Sequence, residues 1–241
     1  MATLGEFDAV LEIAGWDEAF LAARTSAPGA LARQIAGRVR AVTQLDCGIG
    51  IGQNKLQSKL ATGFGKPAGI FRLTRQSWLD VLGCRPTDAL WGIGSRTAAR
   101  LARLGISTVG ELAAADPRAL AGQLGPVTGP WLVQTARGLD PSPVTAAAYR
   151  ARSRGRETTF QQDLDDWAQV RDGVVRLARQ VGRDVASSSG PAVRVMMKVR
   201  HMPVSTSTHG HPLAEPTADP AAQRARRAAQ RRVGDCDRSA T

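Results

Sequence analysis

Residues 86–139 are cut by glycine into pieces too short for a long helix or a broad sheet: ALWGIG, SRTAARLARLG, ISTVGELAAAD, PRALAGQLG and GPWLVQTARGL. Each piece has helical apolar spacing and each boundary carries a stop or start signal, so the stretch predicts a compact unit of short packed helices. Gly92-Ile93-Gly94 opens the piece from Ser95 to Leu104, and the spacing predicts a preceding helix that ends near Trp91. Helix, glycine hairpin and helix together leave backbone N–H groups pointing outward at a helix N-terminus, which binds a phosphate without reading bases. Arg96 and Arg100, four apart, line the same side of that helix. An αα-corner closed by glycines for packing alone would use the same residues, but the length of the motif favours the phosphate reading.

The flanks have a different texture. Residues 7–22 predict two short apolar strands around a turn at Gly15, and residues 26–43 have helical spacing through Leu31, Ile35 and Val39. CGIGIG (47–52) predicts a strand, and Asn54 an N-cap for a helix from Lys55 to about Phe64, broken by Gly65 and Pro67. A strand at Gly69–Leu73 and a helix at Ser77–Leu82 close this α/β part. Beyond the helical unit, DPSPVTAAAYRA (140–151) has no periodicity and predicts a linker. Then come a strand (Arg154–Phe160), a long helix (Trp167–Val185), a strand (Ala192–Met202) and a third strand (Ser205–His209). The expectation is an α+β multidomain chain, divided as 1–84, 85–140, a linker 141–151, 152–220, and an Arg-rich tail 221–241.

The net charge of +11 favours a polyanionic partner, nucleic acid before membrane or acidic protein. Only four of the 32 basic residues are lysines (Lys55, Lys59, Lys66, Lys198), so an arginine-rich coding bias is an alternative source of that charge. Cys47, Cys84 and Cys236 are odd in number and far apart, which suggests neither a disulfide framework nor a zinc site. Glu6, Asp8 and Glu12 stand where a signal peptide needs a basic patch, and no apolar run reaches membrane-spanning length. A cytoplasmic location without membrane association is expected.

Asp17 and Glu18 are adjacent carboxylates in an otherwise apolar hairpin. Two unpaired charges there are costly, and a bound cation is the simplest compensation; hard oxygen ligands suit Mg²⁺. Neighbours on a regular strand point to opposite faces, so both reach one site only if the turn bends the backbone. Two acids on an exposed turn is the other reading. Lys66, in the Gly-Lys-Pro loop, is placed to meet a triphosphate, or is a surface lysine favoured by a helix C-terminus; Pro67 excludes a P-loop. Arg152, Arg154 and Arg156 on one strand, and Lys198 and Arg200 on another, recur at period two and form basic stripes suited to tracking a phosphate backbone, or to a solvated sheet face.

Taken in order, GWDEAFL (15–21), CGIGIGQNKLQSKLATGFGKPAG (47–69), LWGIGSRTAARLARLGISTVGEL (90–112) and GRETTF (155–160) resemble a Y-family translesion DNA polymerase, nearest the bacterial DNA polymerase IV group, from about residue 7 to about residue 217. The resemblance implies a right-hand architecture: a partial palm at 1–84, a helix-hairpin-helix thumb at 85–140, and an incomplete little-finger sheet domain at 152–220. It implies Asp17 as a metal-ligating palm carboxylate, Glu18 as its partner near the primer 3′-OH, and Lys66 as the contact to the incoming triphosphate. Primer–template DNA, a deoxynucleoside triphosphate and two Mg²⁺ ions are the implied partners, together with a sliding clamp whose docking peptide is not seen here. Two departures qualify this. The family's first palm strand, with a further aspartate, and the fingers precede the region matched, so the two-metal site is expected to be incomplete. The tail QRARRAAQRRVGDCDRSAT replaces the family's last helix and strand with an Arg-rich run. Impaired or absent polymerase activity is therefore expected. The alternative is a non-catalytic, sequence-independent DNA-binding protein gripping duplex through thumb and little finger.

Overall fold

The computed structural model describes residues 1–147, 151–187, 190–201 and 205–218. The Arg-rich tail, Cys236, the end of the expected linker and Met202 lie outside the described residues. The chain forms two units, residues 1–149 and 150–241. The mix of short helices and small sheets is α+β, as expected.

In the first unit, a 3-10 turn (Ala2–Glu6) leads to an antiparallel hairpin, β1 (Val10–Ile13) and β2 (Ala19–Ala22), paired from Val10↔Ala22 to Ile13↔Ala19. Glu6 is ion-paired at 2.7 Å to Arg38 of α1 (Pro28–Thr43), which fixes the start of the chain to this helix. Pro28 starts α1 with its φ preset for a helix, and Gln44 ends it in the left-handed region at φ 60°. Next come β3 (Ile49–Ile51), α2 (Lys55–Gly65) and β4 (Ile70–Arg72), with β3 and β4 parallel. Parallel neighbours need a crossover, and α2 supplies it. The Asn54 side chain accepts from the Gln57 N–H at 2.8 Å, which is the cap expected from sequence.

α3 (Trp78–Leu82), α4 (Ser95–Arg103), α5 (Val109–Ala114), α6 (Pro117–Leu124) and α7 (Thr128–Ala136) follow. Leu56 of α2, Leu73, Trp78, Leu82, Leu90, Leu101, Leu112 and Leu132 belong to one continuous buried core that runs from α2 to α7. The Trp78 indole N–H donates to the Ala136 carbonyl at 2.7 Å, so the largest buried side chain is also satisfied. One element differs from expectation. The helix ending near Trp91 is a single 3-10 turn, Thr87–Ala89, with Leu90 extended. Pro86 bridges to Thr108, the Thr87 N–H is held by the Ser107 carbonyl, and Gly92 turns at φ 92°. Too few residues remain between those anchors for an α-helix.

The second unit contains α8 (Trp167–Ala186), capped by Asp166, and an antiparallel pair, β5 (Ala192–His201) and β6 (Ser205–Thr217). β6 is longer than expected, and Pro212 falls where the register shifts opposite Arg194, a bulge that tolerates a residue without an N–H. The expected first strand, Arg154–Phe160, is irregular and exposed. Alternating arginines give it no apolar face to bury; only Phe160 packs, its ring lying where a Cβ on Gly173 of α8 would stand. No helix among the described residues is long and apolar enough to cross a membrane.

Candidate active site and nucleic-acid interface

The β1–β2 hairpin places alternate residues on one face. Glu12 is the cross-strand partner of Phe20, and Glu18 is two residues before Phe20, so all three share that face. α2 presents Lys55 and Lys59, one turn apart, to the same side. The charges match in pairs. The Lys55 ammonium is 2.9 Å from the Glu12 carboxylate, and Lys59 is ion-paired with Glu18. Aromatic rings fill the space between: Lys55 lies 5.8 Å from the Phe20 centroid, Lys59 lies 5.9 Å from that of Trp91, and Phe20 and Trp91 are 6.2 Å apart. Glu12 also accepts the Thr145 N–H at 2.9 Å. The Lys55 hydrogen bond, helped by the Thr145 N–H, holds its carboxyl below the usual range.

Asp17 is exposed on the turn beside Trp16, which is fully exposed at 102%. The expected pair of unpaired acids in an apolar hairpin is thus half corrected: Glu18 has a lysine partner. Lys66 is exposed and forms the C-cap of α2, ahead of a cis bond to Pro67. Gly92 needs its left-handed φ and has the Trp131 ring beside it, where a Cβ would be 2.9 Å from the indole. Ile93 is buried, and Gly94 is the N-cap of α4. Arg96 is exposed in the first turn of α4, whereas Arg100 donates to the Gln123 carbonyl at 3.2 Å. Both arginines therefore do not stand ready at the glycine turn.

In the second unit, Arg152, Arg154 and Arg156 are exposed but not on a strand, which corrects the first expected stripe. Arg156 binds Asp184 through two hydrogen bonds at 2.7 and 3.0 Å, and that contact holds the Asp184 carboxyl below its usual range. The second stripe forms: Lys198 and Arg200 are exposed on β5, opposite Thr208 and Thr206. Arg194 lies on the same face, four residues before Lys198, with Met196 between them. Sequence reading missed Arg194, Glu12, Lys55 and Lys59. Their signal was the period of two on the strands and of four on α2.

Carboxylate oxygens have the right chemistry for a hard cation. As arranged, the residues do not fit a two-metal centre: Glu18 is committed to Lys59, and the described residues contain no group of three His, Cys, Asp or Glu side chains able to hold a metal.

Residues 1–63 match the impB/mucB/samB family model, residues 88–140 the model described as DNA polymerase-iota, thumb domain, and residues 151–237 the impB/mucB/samB family C-terminal domain. Proteins named DNA polymerase IV 2 from Mycobacterium bovis and Mycobacterium tuberculosis are 39% identical over 223 residues, which is 91% of this chain and 64% of theirs. The chain belongs to the Y family of DNA polymerases, DNA polymerase IV type. A further member of that type, DNA polymerase IV of Bacillus velezensis, is 33% identical over 77% of this chain and 45% of its own length. Among solved structures, a Y-family DNA polymerase chimera of Dbh and Dpo4 superposes with a TM-score of 0.73 at 21% identity, covering 93% of this chain and 66% of the other. DinB from Sulfolobus solfataricus has a TM-score of 0.52 at 20% identity over 92% of this chain and 66% of its own. The Y-family assignment thus extends over the hairpin, the helical unit and the β5–β6 unit. The chain spans 64% of the length of its mycobacterial relatives.

Proposed function

We propose that this chain serves translesion DNA synthesis, a cytoplasmic DNA polymerase IV-type protein that acts on primer–template DNA in damage tolerance and repair. The observation that carries the reading is 39% identity across 91% of the chain to proteins named DNA polymerase IV 2. In this reading residues 1–84 are palm, 85–140 thumb and 152–220 little finger. The turn Gly92, Ile93, Gly94 and the neighbouring Arg96 meet the duplex backbone through the glycine N–H groups and one guanidinium, with Ile93 buried and its own N–H held by the Leu90 carbonyl at 3.1 Å. Arg152, Arg154, Lys198 and Arg200 add cationic contacts that carry no sequence information. Lys66 is exposed and available to a triphosphate. Mg²⁺ belongs to the family chemistry, and Asp17 and Glu18 are the carboxylates this chain offers for it.

One observation favours a second reading, a non-catalytic duplex-binding protein. Glu18 is neutralised by Lys59, while Lys198 and Arg200 are exposed on β5. Two assays on the full chain separate the readings. In gel-shift titration both predict affinity that falls with salt and ignores sequence, and the double change Lys198→Ala, Arg200→Ala lowers the log–log salt slope by about two. A flat salt response sinks both. Mg²⁺-dependent primer extension abolished by Asp17→Asn supports the polymerase; salt-sensitive binding without nucleotide incorporation supports the second reading.

A further inference from the structure

The nine residues of α4, SRTAARLAR, include three arginines and no acid, and Arg96, Arg100 and Arg103 recur at helical spacing on one face. Among the described residues no ion pair involves any of the three, whereas Arg38 and Arg40 of α1 are both paired. Arg100 and Arg103 line a cleft between the C-terminal ends of α4 and α6, together with Leu104, Gln123 and Leu124. No acid stands on its walls. The bond from Arg100 to the Gln123 carbonyl at 3.2 Å uses one guanidinium N–H, fixes the side chain in place and leaves its other donors to an anion. Leu104 is 39% exposed although Leu101, one turn earlier, is fully buried, so the cleft also has an uncovered apolar wall.

Size and chemistry narrow the occupant. At about 180 Å³ the cleft is smaller than the roughly 300 Å³ at which small-molecule sites begin, which leaves room for one or two side chains and not for a nucleotide. A phosphate backbone offers nothing apolar to Leu104 and Leu124. The cleft also lies at the far end of α4 from Gly94, about 14 Å along the helix, where the carbonyls of two helix ends oppose a dianion more than a monoanion. A carboxylate is planar, singly charged and matched to the guanidinium fork. We propose that the α4–α6 cleft docks an acidic peptide of a partner protein: a carboxylate takes the fork of Arg100 and the charge of Arg103, while a neighbouring leucine-like side chain covers Leu104 and Leu124. The site is separate from the glycine turn and does not depend on polymerase chemistry.

The test uses fluorescein-labelled synthetic peptides and the full chain, read by fluorescence anisotropy. A peptide of alternating Asp and Leu is expected to bind about tenfold more tightly than one of alternating Asp and Ser, because only the first covers the two leucines. Arg103→Gln is expected to weaken the Asp–Leu peptide about tenfold, the scale of one charge-assisted bond. Arg100→Lys, which keeps the charge and loses the planar fork, is expected to weaken it by a similar factor. Arg103 makes no side-chain bond to another described residue, so its substitution tests the cleft without removing a contact that holds the fold. Equal binding of the two peptides shows attraction by charge alone and overturns the inference. So does an Asp–Leu peptide that fails to bind, or one whose affinity Arg103→Gln leaves unchanged. Duplex DNA is the remaining arm. A short duplex that displaces the Asp–Leu peptide, and itself binds more weakly to the Arg103→Gln chain, makes the cleft part of a phosphate track and overturns the peptide assignment.

Discussion

Glu12 receives the Lys55 ammonium from α2 and the Thr145 N–H from the segment after the helical unit. Both contacts favour its charged form, so its carboxyl titrates below its usual value near 4.5 in the folded chain. A depressed carboxyl contributes stability that is full above the unfolded value and is lost as pH falls through the folded one. Glu12→Gln is thus expected to unfold at lower urea at neutral pH, and its midpoint is expected to fall less steeply than wild type below about pH 4.5. Parallel acid limbs for the two chains would show that Glu12 does not carry this dependence. Sequence reading met Glu12 only as one of three acids near the start of the chain and did not find its partner. It placed Asn54 and the Gly92 turn correctly, because a cap and a left-handed glycine are local chemistry. Lys59 and Glu18 are 41 residues apart, and their pairing exists only once α2 lies against the hairpin.

α2 lies so close to β3 that a Cβ on Gly50 would stand 2.0 Å from the Ser58 carbonyl and 2.3 Å from the Thr62 N–H. Both are backbone atoms of a helix and cannot turn aside. Gly50→Ala is expected to destabilise the first unit by about 3 kcal/mol or more, a cost at the upper end for overpacking. A thermal melt within two degrees of wild type would show that the helix can slide away. The same close approach explains why CGIGIG was legible as a strand: two of its glycines interrupt an apolar run where only backbone fits. Other elements were harder to read. The basic stripe expected at Arg152–Arg156 has the right period but no apolar face, and period alone does not supply a partner strand. On β5 the same period coincides with Met197 and Val199 in the alternate positions, both partly buried, and the strand forms.

The two units differ in how much apolar material they bury. The first has a leucine-rich core anchored on Trp78, while Val185 is the one buried hydrophobic residue among the described positions of the second. The second unit is expected to unfold at lower denaturant. Trp167 is the only tryptophan after residue 149, so the fluorescence difference between wild type and Trp167→Phe reports that unit alone. A Trp167 transition coincident with that of the first unit would show that the thinly packed unit does not melt first. In the first unit, the start of α2 is secured from far along the chain. The Asn54 and Gln57 side-chain amides both donate to the Gly138 carbonyl, and the Leu56 N–H donates to the Asp140 carboxylate. These bonds span 81 to 84 residues. Contacts of that reach come late, because the chain must close a long loop before they reward it. During synthesis, therefore, a ribosome that has released only the hairpin and α2 has made a helix whose first turn still lacks its fastening. Of the hairpin carboxylates, Glu12 gains its second donor only after Thr145 has left the exit tunnel.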